Sequence, residues 1–178
     1  MRAATIGLIL GLALAGFGGA ALSQPRDRAP DPPTAGPLDA AAVYSGLWYE
    51  QARTPTSVSR GCGVGTTEHR RDGARWTVRD ACVVNGRERS ISGAATLLDP
   101  GQNAEMRVVY RWGIIPIPRT YRIILISADL SWFVSAEPGF ERVYIYTRAA
   151  TPGRALVDRL IERTRAMGYR GEWEVPAT

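Results

Sequence analysis

The stretch that decides the fold is Tyr44–Glu50, which reads YSGLWYE. It places Gly46 two residues before Trp48 at the start of a predicted strand. Glycine lets the backbone pass close to a neighbouring segment, and tryptophan supplies a bulky side chain for the floor of a barrel. If the following strands build that barrel, the protein is a container for an apolar molecule. The G-x-W pattern alone is common, so its meaning depends on the rest of the chain.

The residues before this stretch predict export. A basic Arg2 precedes the apolar run Ile6–Leu22, and Ala21–Ser23 offers a cleavage site, which is typical of a secretory signal peptide over residues 1–23. An uncleaved membrane anchor is the alternative, but the run is short for a membrane span and rich in glycine. No cysteine lies near the cleavage site, so we expect a periplasmic or secreted protein without a lipid anchor.

A linker and one folded domain follow the predicted signal peptide. Residues 24–37 contain five prolines and few apolar residues, which predicts a disordered linker. Residues 38–178 then form one folded domain, because a chain of 178 residues suffices for one domain plus accessory segments.

Eight strands are predicted after the opening stretch, and most are joined by short turns. Asp72-Gly73 and Asn85-Gly86 are strong hairpin signals, and sequential strands joined in this way favour an up-and-down antiparallel arrangement. Residues Gly113–Pro118 are predicted to form an apolar, proline-bearing loop. The predicted strands are Leu47–Thr54, Gly63–Arg70, Arg75–Val84, Arg87–Leu98, Ala104–Trp112, Thr120–Ser127, Leu130–Ala136 and Arg142–Arg148.

Helical signals flank the strands. Asp39 is placed to cap a short helical turn that ends at Tyr44, and Thr151 is placed to cap a longer helix that ends at Gly168. The longer helix carries an apolar stripe, and we expect it to pack outside the sheet; its acidic residues disfavour a membrane-surface role. The stripe consists of Leu156, Leu160, Ile161, Thr164 and Met167. Gly171–Val175 is long enough to add a short final strand.

The charge pattern argues against several function classes. All 22 basic residues are arginines, the net charge is +5, and the arginines are scattered, so no nucleic-acid-binding patch is indicated. The absence of lysine excludes Schiff-base chemistry. The single histidine, His69, lies near a predicted hairpin among charged residues, so we expect it on the surface. No catalytic triad, metal-ligand spacing or phosphate-binding loop is visible, and we predict no enzyme activity and no cofactor.

Two pairs of residues carry chemistry that the sequence leaves open. Cys62 and Cys82 are the two cysteines of a chain expected to be exported, which favours a disulfide over two buried thiols. Glu50 and Asp80 are the candidate catalytic carboxylates, if both lie at one end of the barrel.

Taken in order, these motifs resemble the lipocalins, and most closely the bacterial lipocalin group, over residues 38–176. Asp80 stands where the family often has asparagine, and Thr67 where it often has an aromatic residue. The resemblance implies an all-β fold, an eight-stranded antiparallel up-and-down β-barrel with one C-terminal α-helix packed outside. The segments that carry it are Tyr44–Glu50 with Ala52-Arg53, Gly61-Cys62, Asp72-Gly73, Val78–Cys82, Pro138 and Val143–Arg148.

The same resemblance gives the barrel a floor and a lining. It implies that Trp48 closes one end, that Arg148 lies across its ring, and that Gly46 belongs to the same structural signature; none of these is catalytic. If Arg148 turns inward, alternate residues of the last strand also face the interior. Arg122 belongs in water, so the opposite face of the sixth strand is predicted to face inward. The predicted ligand-binding residues are Met106, Val108, Tyr110, Tyr121, Ile123, Leu125, Tyr144 and Tyr146.

The function implied by the resemblance is binding or transport of a small hydrophobic ligand, a fatty acid or a lysophospholipid. An ordinary packed core is the alternative for each lining residue. On the seventh strand either Trp132, Val134 and Ala136 or Ser131, Phe133 and Ser135 face inward.

The rival functions are an isomerase or epoxide-processing enzyme in the same shell and an envelope protein-binding module. Residues Trp112–Pro118 form either a lid, a rim that transiently contacts a membrane, or a loop packed on its own barrel.

Overall fold

The computed structural model describes residues 29–73 and 75–177. The predicted signal peptide and the first residues of the predicted linker lie outside the described residues. Within the described part, no helix has the length and apolar character needed to cross a membrane.

Eight antiparallel strands form a closed barrel in which each strand pairs with the next and the last pairs with the first. This architecture confirms the predicted fold class. A four-residue helix, α1 (Ala40–Val43), precedes the barrel, and a helix of 13 residues, α2 (Arg154–Ala166), follows it. The strands are β1 (Gly46–Arg53), β2 (Gly65–Asp72), β3 (Arg75–Val84), β4 (Arg87–Leu97), β5 (Glu105–Trp112), β6 (Ile115–Ile126), β7 (Trp132–Ala136) and β8 (Val143–Thr147).

The two ends of the barrel differ. At the closed end, α1 packs its Val43 beside Trp48, and the β2–β3, β4–β5 and β6–β7 connections lie at this end. Asp39 caps α1 by accepting hydrogen bonds from the backbone of Ala41 and Ala42, as the sequence predicted. At the open end lie the long β1–β2 connection and the β3–β4, β5–β6 and β7–β8 connections.

Two apolar cores lie on opposite faces of the strands. One fills the barrel, and the other lies between the barrel wall and α2, where Leu160 and Ile161 pack against residues such as Ile145. The helix therefore packs outside the barrel. It begins at Arg154 with Gly153 as its N-cap, so the predicted cap at Thr151 is wrong. Gly153 has φ 86°, a conformation that glycine adopts at little cost.

The predicted loop over residues 113–118 is instead part of a long hairpin. β6 begins at Ile115 and pairs with β5 from its first residue, so only Gly113 and Ile114 form the turn. Gly113 has φ 60°, which suits the first central position of a two-residue hairpin turn. Pro116 and Pro118 are tolerated because β7 pairs with β6 only from Arg122 onward, which leaves the first half of β6 at an edge.

A β-bulge in β6 corrects the predicted lining. The register with β7 shifts between Ile123 and Leu125, so the inward and outward positions exchange beyond the bulge. Leu125 consequently packs on the outer core under α2, and Ile126 packs on the inner core. The prediction that Leu125 faces the barrel interior is wrong for this reason.

The described part of the predicted disordered linker packs on the barrel. The backbone N–H of Ala35 donates to the carbonyl of Ile123 over 2.8 Å. Asp31 forms an ion pair of 3.1 Å with Arg122, and Pro32 is buried. An extended proline-rich segment has no internal hydrogen bonds, so its backbone is available for such contacts. The prediction of disorder therefore does not hold over residues 31–37.

Cys62 and Cys82 form a disulfide, as the sequence favoured. It ties the β1–β2 connection to β3 at the open end. The alternative of two buried thiols is excluded.

Arg53 holds the open end of β1 in place. Its side chain is 2% exposed and pairs with Glu50 at 2.8 Å and with Glu174 at 2.9 Å. It also donates to the carbonyl of Cys62 over 2.7 Å. Glu174 forms an isolated bridge with Arg53, so the predicted final strand over Gly171–Val175 is reduced to this bridge.

Replacing Arg53 by glutamine is expected to lower the free energy of unfolding by about 3 kcal/mol, because it leaves the mostly buried Glu50 and the partly exposed Glu174 without their cation. Urea denaturation measures the loss. The matched control is Arg154→Gln, which removes a surface ion pair with Asp158 and is expected to cost less than about 1 kcal/mol. Equal, small losses in both variants would show that the Arg53 cluster does not stabilise the fold.

Candidate ligand-binding site

Trp48 forms the floor of the barrel interior. Its side chain is fully buried, and its Nε1–H donates to the carbonyl of Val43 in α1 over 3.1 Å. The ring of Phe133 meets the Trp48 ring edge-on at 4.6 Å between centroids. The indole is thus fixed by one hydrogen bond to α1 and one aromatic contact with β7.

Arg148 lies across Trp48, as the resemblance implied. Its guanidinium carbon is 3.5 Å from the ring centroid, a cation–π contact. The same guanidinium donates to the carbonyls of Ser45 at 2.7 Å and Leu47 at 3.0 Å. Gly46 lies between these two carbonyls with φ 67°. Arg148 follows β8 rather than belonging to it, and it ties the end of β8 to the start of β1.

Most of the predicted lining residues face the interior. Six of the eight border one cavity, and Tyr144 faces the interior beside them, with its ring 6.0 Å from Tyr121 and 6.2 Å from Tyr146. Leu125 alone lies outside, as described above. The six are Met106, Val108, Tyr110, Tyr121, Ile123 and Tyr146.

The seventh strand turns its Phe133 and Ser135 inward. Both border the cavity, whereas Trp132, Val134 and Ala136 pack on the outer core. This resolves the alternative that the sequence left open.

The cavity itself is small, about 40 Å³. A water molecule needs roughly 10–15 Å³ by this measure, so the space holds a few waters. Aromatic side chains fill most of the remaining interior. An acyl chain therefore enters only if some of these side chains move toward the open end.

His69 lies inside the barrel, not on the surface as predicted. Its residue is 8% exposed, its ring lies 5.5 Å from that of Tyr44, and it borders the cavity. The reason is that β2 continues to Asp72, so alternation turns Thr67 and His69 inward and Glu68 outward. The alternation of these side chains was the signal that could have found it.

Two buried polar atoms in this part of the interior lack a hydrogen-bond partner among the described residues. They are Nδ1 of His69 and the hydroxyl of Tyr44. Burial, with a smaller effect of the Arg148 charge, lowers the pKa of His69 to about 4. The imidazole is therefore neutral at pH 7 and offers a hydrogen-bonding atom to the cavity.

Asp80 is a buried carboxyl group in the wall of the cavity. The hydroxyl of Tyr110 donates to it over 2.6 Å, and the hydroxyl of Tyr121 lies 3.2 Å from that of Tyr110. Burial raises the pKa of Asp80, against the opposing effect of hydrogen bonds from Thr67 and Tyr110. The candidate barrel-end carboxylate is thus part of an interior phenol–carboxyl network.

Glu50 is the second interior carboxyl group. Burial raises its pKa, and the hydrogen bond and charge of Arg53 oppose that rise. The hydroxyl of Tyr146 donates to Glu50 over 3.4 Å. Asp80 and Glu50 together make the middle of the barrel acidic.

Arg119 is the inward-facing arginine of the β5–β6 hairpin. It pairs with Val108, an interior residue, and residues directly opposite each other on antiparallel strands share a face. Its side chain is half-buried, and no ion pair to an acidic residue is seen for it within residues 29–73 and 75–177. Burial raises the pKa of Tyr121, and the Arg119 charge acts against that rise. Sequence reasoning did not single out Arg119.

The interior thus offers apolar walls, an acidic middle and a cation toward the open end. Among the described residues, no group of three or more histidine, cysteine, aspartate or glutamate side chains is placed to hold a metal ion.

Comparisons with known proteins agree with this architecture. A family model described as a lipocalin-like domain matches residues 38–173. A relative named putative lipocalin R877, from Acanthamoeba polyphaga mimivirus, is 26% identical over 137 residues, which cover 71% of this chain and 76% of that protein.

Two solved structures of the same shape are animal proteins. Insecticyanin from the tobacco hornworm Manduca sexta superposes with a TM-score of 0.69 at 13% identity, over 84% of this chain and 86% of that chain. H1 crustacyanin from the lobster Homarus americanus gives a TM-score of 0.59 at 11% identity, over 87% and 93%. At such identities the likeness establishes the fold alone.

Replacing His69 by glutamine is expected to remove a pH-dependent loss of stability. Because the native pKa of about 4 lies below the ordinary 6.5, the unfolded chain takes up a proton before the folded chain does. The contribution of His69 to the wild-type free energy of unfolding is therefore fully present above pH 6.5. It is lost as the pH drops toward 4, and the loss is about 3 kcal/mol.

Urea denaturation of both proteins across this pH window measures the effect. Other titrating groups are common to both proteins and cancel in the difference. Parallel curves for the wild type and the variant would contradict a buried neutral His69.

Proposed function

The chain belongs to the lipocalin family, and from that premise we propose that it is an exported carrier of a small hydrophobic ligand in the cell envelope. The ligand that we propose is a fatty acid or a lysophospholipid. The Cys62–Cys82 disulfide supports an oxidising compartment, the periplasm or the cell exterior, because disulfides persist there.

The observation that carries this proposal is the combination of apolar walls with Arg119 near the open end. An acyl chain would lie against Met106, Val108 and Ile123, and its carboxylate or phosphate would pair with the guanidinium. The half-buried position of Arg119 favours this pairing, since a charge-assisted hydrogen bond is stronger where water is partly excluded.

The acidic middle of the barrel sets the direction of the ligand. A carboxylate placed deep would lie beside Asp80 and Glu50, where burial raises the pKa of a carboxyl group because it disfavours the negative charge. A ligand with its head group at Arg119 and its tail toward Trp48 avoids this contact. The tail then replaces water around His69.

Entry of the tail requires the interior to open. Tyr121 is partly buried and lies on the half of β6 that precedes the pairing with β7, so backbone pairing with β5 alone holds this part of the strand. Met106 is unbranched and adapts its shape easily. Burial of the tail stabilises the complex by about 25 cal/mol per Å² of apolar surface, less the cost of these movements.

Titration with dodecanoate, followed by tryptophan fluorescence, is expected to give saturable binding at micromolar concentration. Arg119→Gln is expected to weaken dodecanoate binding about tenfold, which corresponds to about 1.4 kcal/mol, because it removes the charged partner. Binding of dodecanol, which has the same tail without a charge, is expected to change little.

Arg107→Gln is the matched control, since Arg107 lies on the same hairpin but on the outer face. It is expected to leave both titrations unchanged. An absence of saturable binding for both ligands would refute the proposed function, and an equal loss in both variants would refute the placement of the head group. Mass spectrometry of lipids that copurify with the exported protein would identify the natural ligand.

A further inference from the structure

The β5–β6 hairpin projects from the open end of the barrel. Residues 115–121 of β6 pair with β5, whereas pairing with β7 starts at Arg122. This half of β6 therefore has one free edge. Pro116 and Pro118 remove two backbone donors from it, which disfavours the addition of a strand from another chain.

The tip of this hairpin exposes large apolar side chains. Trp112 is 65% exposed, Ile114 93% and Ile115 61%, which are among the highest values for large apolar residues in the described part. They are contiguous around the two-residue turn. A contiguous exposed apolar group of this kind marks an interaction surface.

Arginines accompany the tip. Arg87 and Arg89 follow the β3–β4 turn at the start of β4, and Arg111 adjoins Trp112; all three are exposed at the open end. The nearby Glu88 pairs with Arg79, so it does not neutralise them. Among the ion pairs of the described residues, none involves these three arginines.

We propose that the open end of the barrel docks on an anionic lipid membrane, with Trp112, Ile114 and Ile115 inserted among the head groups. Arginines near such a surface are attracted to it, and tryptophan favours the interface between head groups and acyl chains. This inference goes beyond ligand binding, and it can fail while the proposed function stands.

The charge pattern favours lipid over a second copy of the chain. A second copy would bring the same arginines together, which repel one another, whereas an anionic surface complements them. Docking in this orientation also brings the mouth of the barrel onto the bilayer. A ligand would then pass between membrane and interior without crossing bulk water.

Vesicle flotation tests the proposal with the purified chain. We expect binding to phosphatidylcholine vesicles that contain phosphatidylglycerol, weaker binding to phosphatidylcholine alone, and release by added salt. Ile114→Ser is expected to weaken binding about tenfold, because it removes an inserted side chain. The matched control is Leu98→Ser, at an exposed apolar residue of the closed end that is 41% exposed, which is expected to leave binding unchanged.

A second pair of variants tests the charge. Arg87→Gln combined with Arg111→Gln is expected to weaken binding to the anionic vesicles several-fold. Arg159→Gln, at an exposed arginine of α2, has the same sign of charge change and is expected to have no effect on binding.

The fluorescence of Trp112 reports insertion directly. Tryptophan emission is expected to shift to shorter wavelength on the anionic vesicles, and Trp112→Phe is expected to keep most of the binding but lose most of the shift.

Three results would overturn the proposal. They are equal losses for Ile114→Ser and Leu98→Ser, binding that is independent of phosphatidylglycerol, and a wild type that self-associates through the tip without binding vesicles. Dodecanoate titration separates the two proposals. If Ile114→Ser binds dodecanoate like the wild type but no longer floats with vesicles, docking is a property distinct from ligand binding. If the wild type does not bind dodecanoate, the proposed function is refuted and the docking proposal is not.

Discussion

The contact between Arg148 and Trp48 is the constraint on which the rest of the structure depends. One guanidinium lies 3.5 Å above the indole and also donates to the backbone of Ser45 and Leu47. It therefore connects the end of the last strand to the start of the first, where a barrel must close. Once this closure is fixed, the register of β1 with β8 determines which residues of both strands face inward. Glu50 and Tyr146 meet inside the barrel for this reason.

Much of this arrangement could be predicted from the sequence, because the relevant signals are local. Alternation placed Met106, Val108 and Tyr110 inside, since β5 runs without a bulge in its pairings with both neighbours. The two cysteines of a chain expected to be exported predicted the disulfide. The order of the motifs supplied what alternation could not, namely the closure of the barrel and the position of Trp48.

The errors arise where a distant contact overrides a local pattern. The bulge that turns Leu125 outward lies where α2 covers the wall, and no residue in the local sequence specifies it. The proline-rich start of β6 was predicted as a loop, because an edge position that tolerates proline depends on where β7 begins. His69 was assigned to the surface by its charged neighbours, although the adjacent Glu68 and Arg70 point to the opposite face of β2. The structural role of Arg53 was not predicted, since its acidic partner Glu174 lies 121 residues away in the sequence.

The distribution of charge along the barrel axis gives these features a common consequence. The closed end is sealed by an apolar ring and by a cation whose donors engage backbone carbonyls, so it has little charge left to offer a ligand. The middle holds Asp80 and Glu50, whose raised pKa values express the cost of keeping a negative charge there. The open end carries arginines without acidic partners among the described ion pairs, Arg119 on the inner face and Arg111 at the tip. In the proposed complex, the anionic head of an amphipathic ligand pairs with Arg119 at this end, and the apolar tail enters first. If the open end docks on an anionic surface as proposed, the arginines that orient the ligand would also orient the protein that carries it.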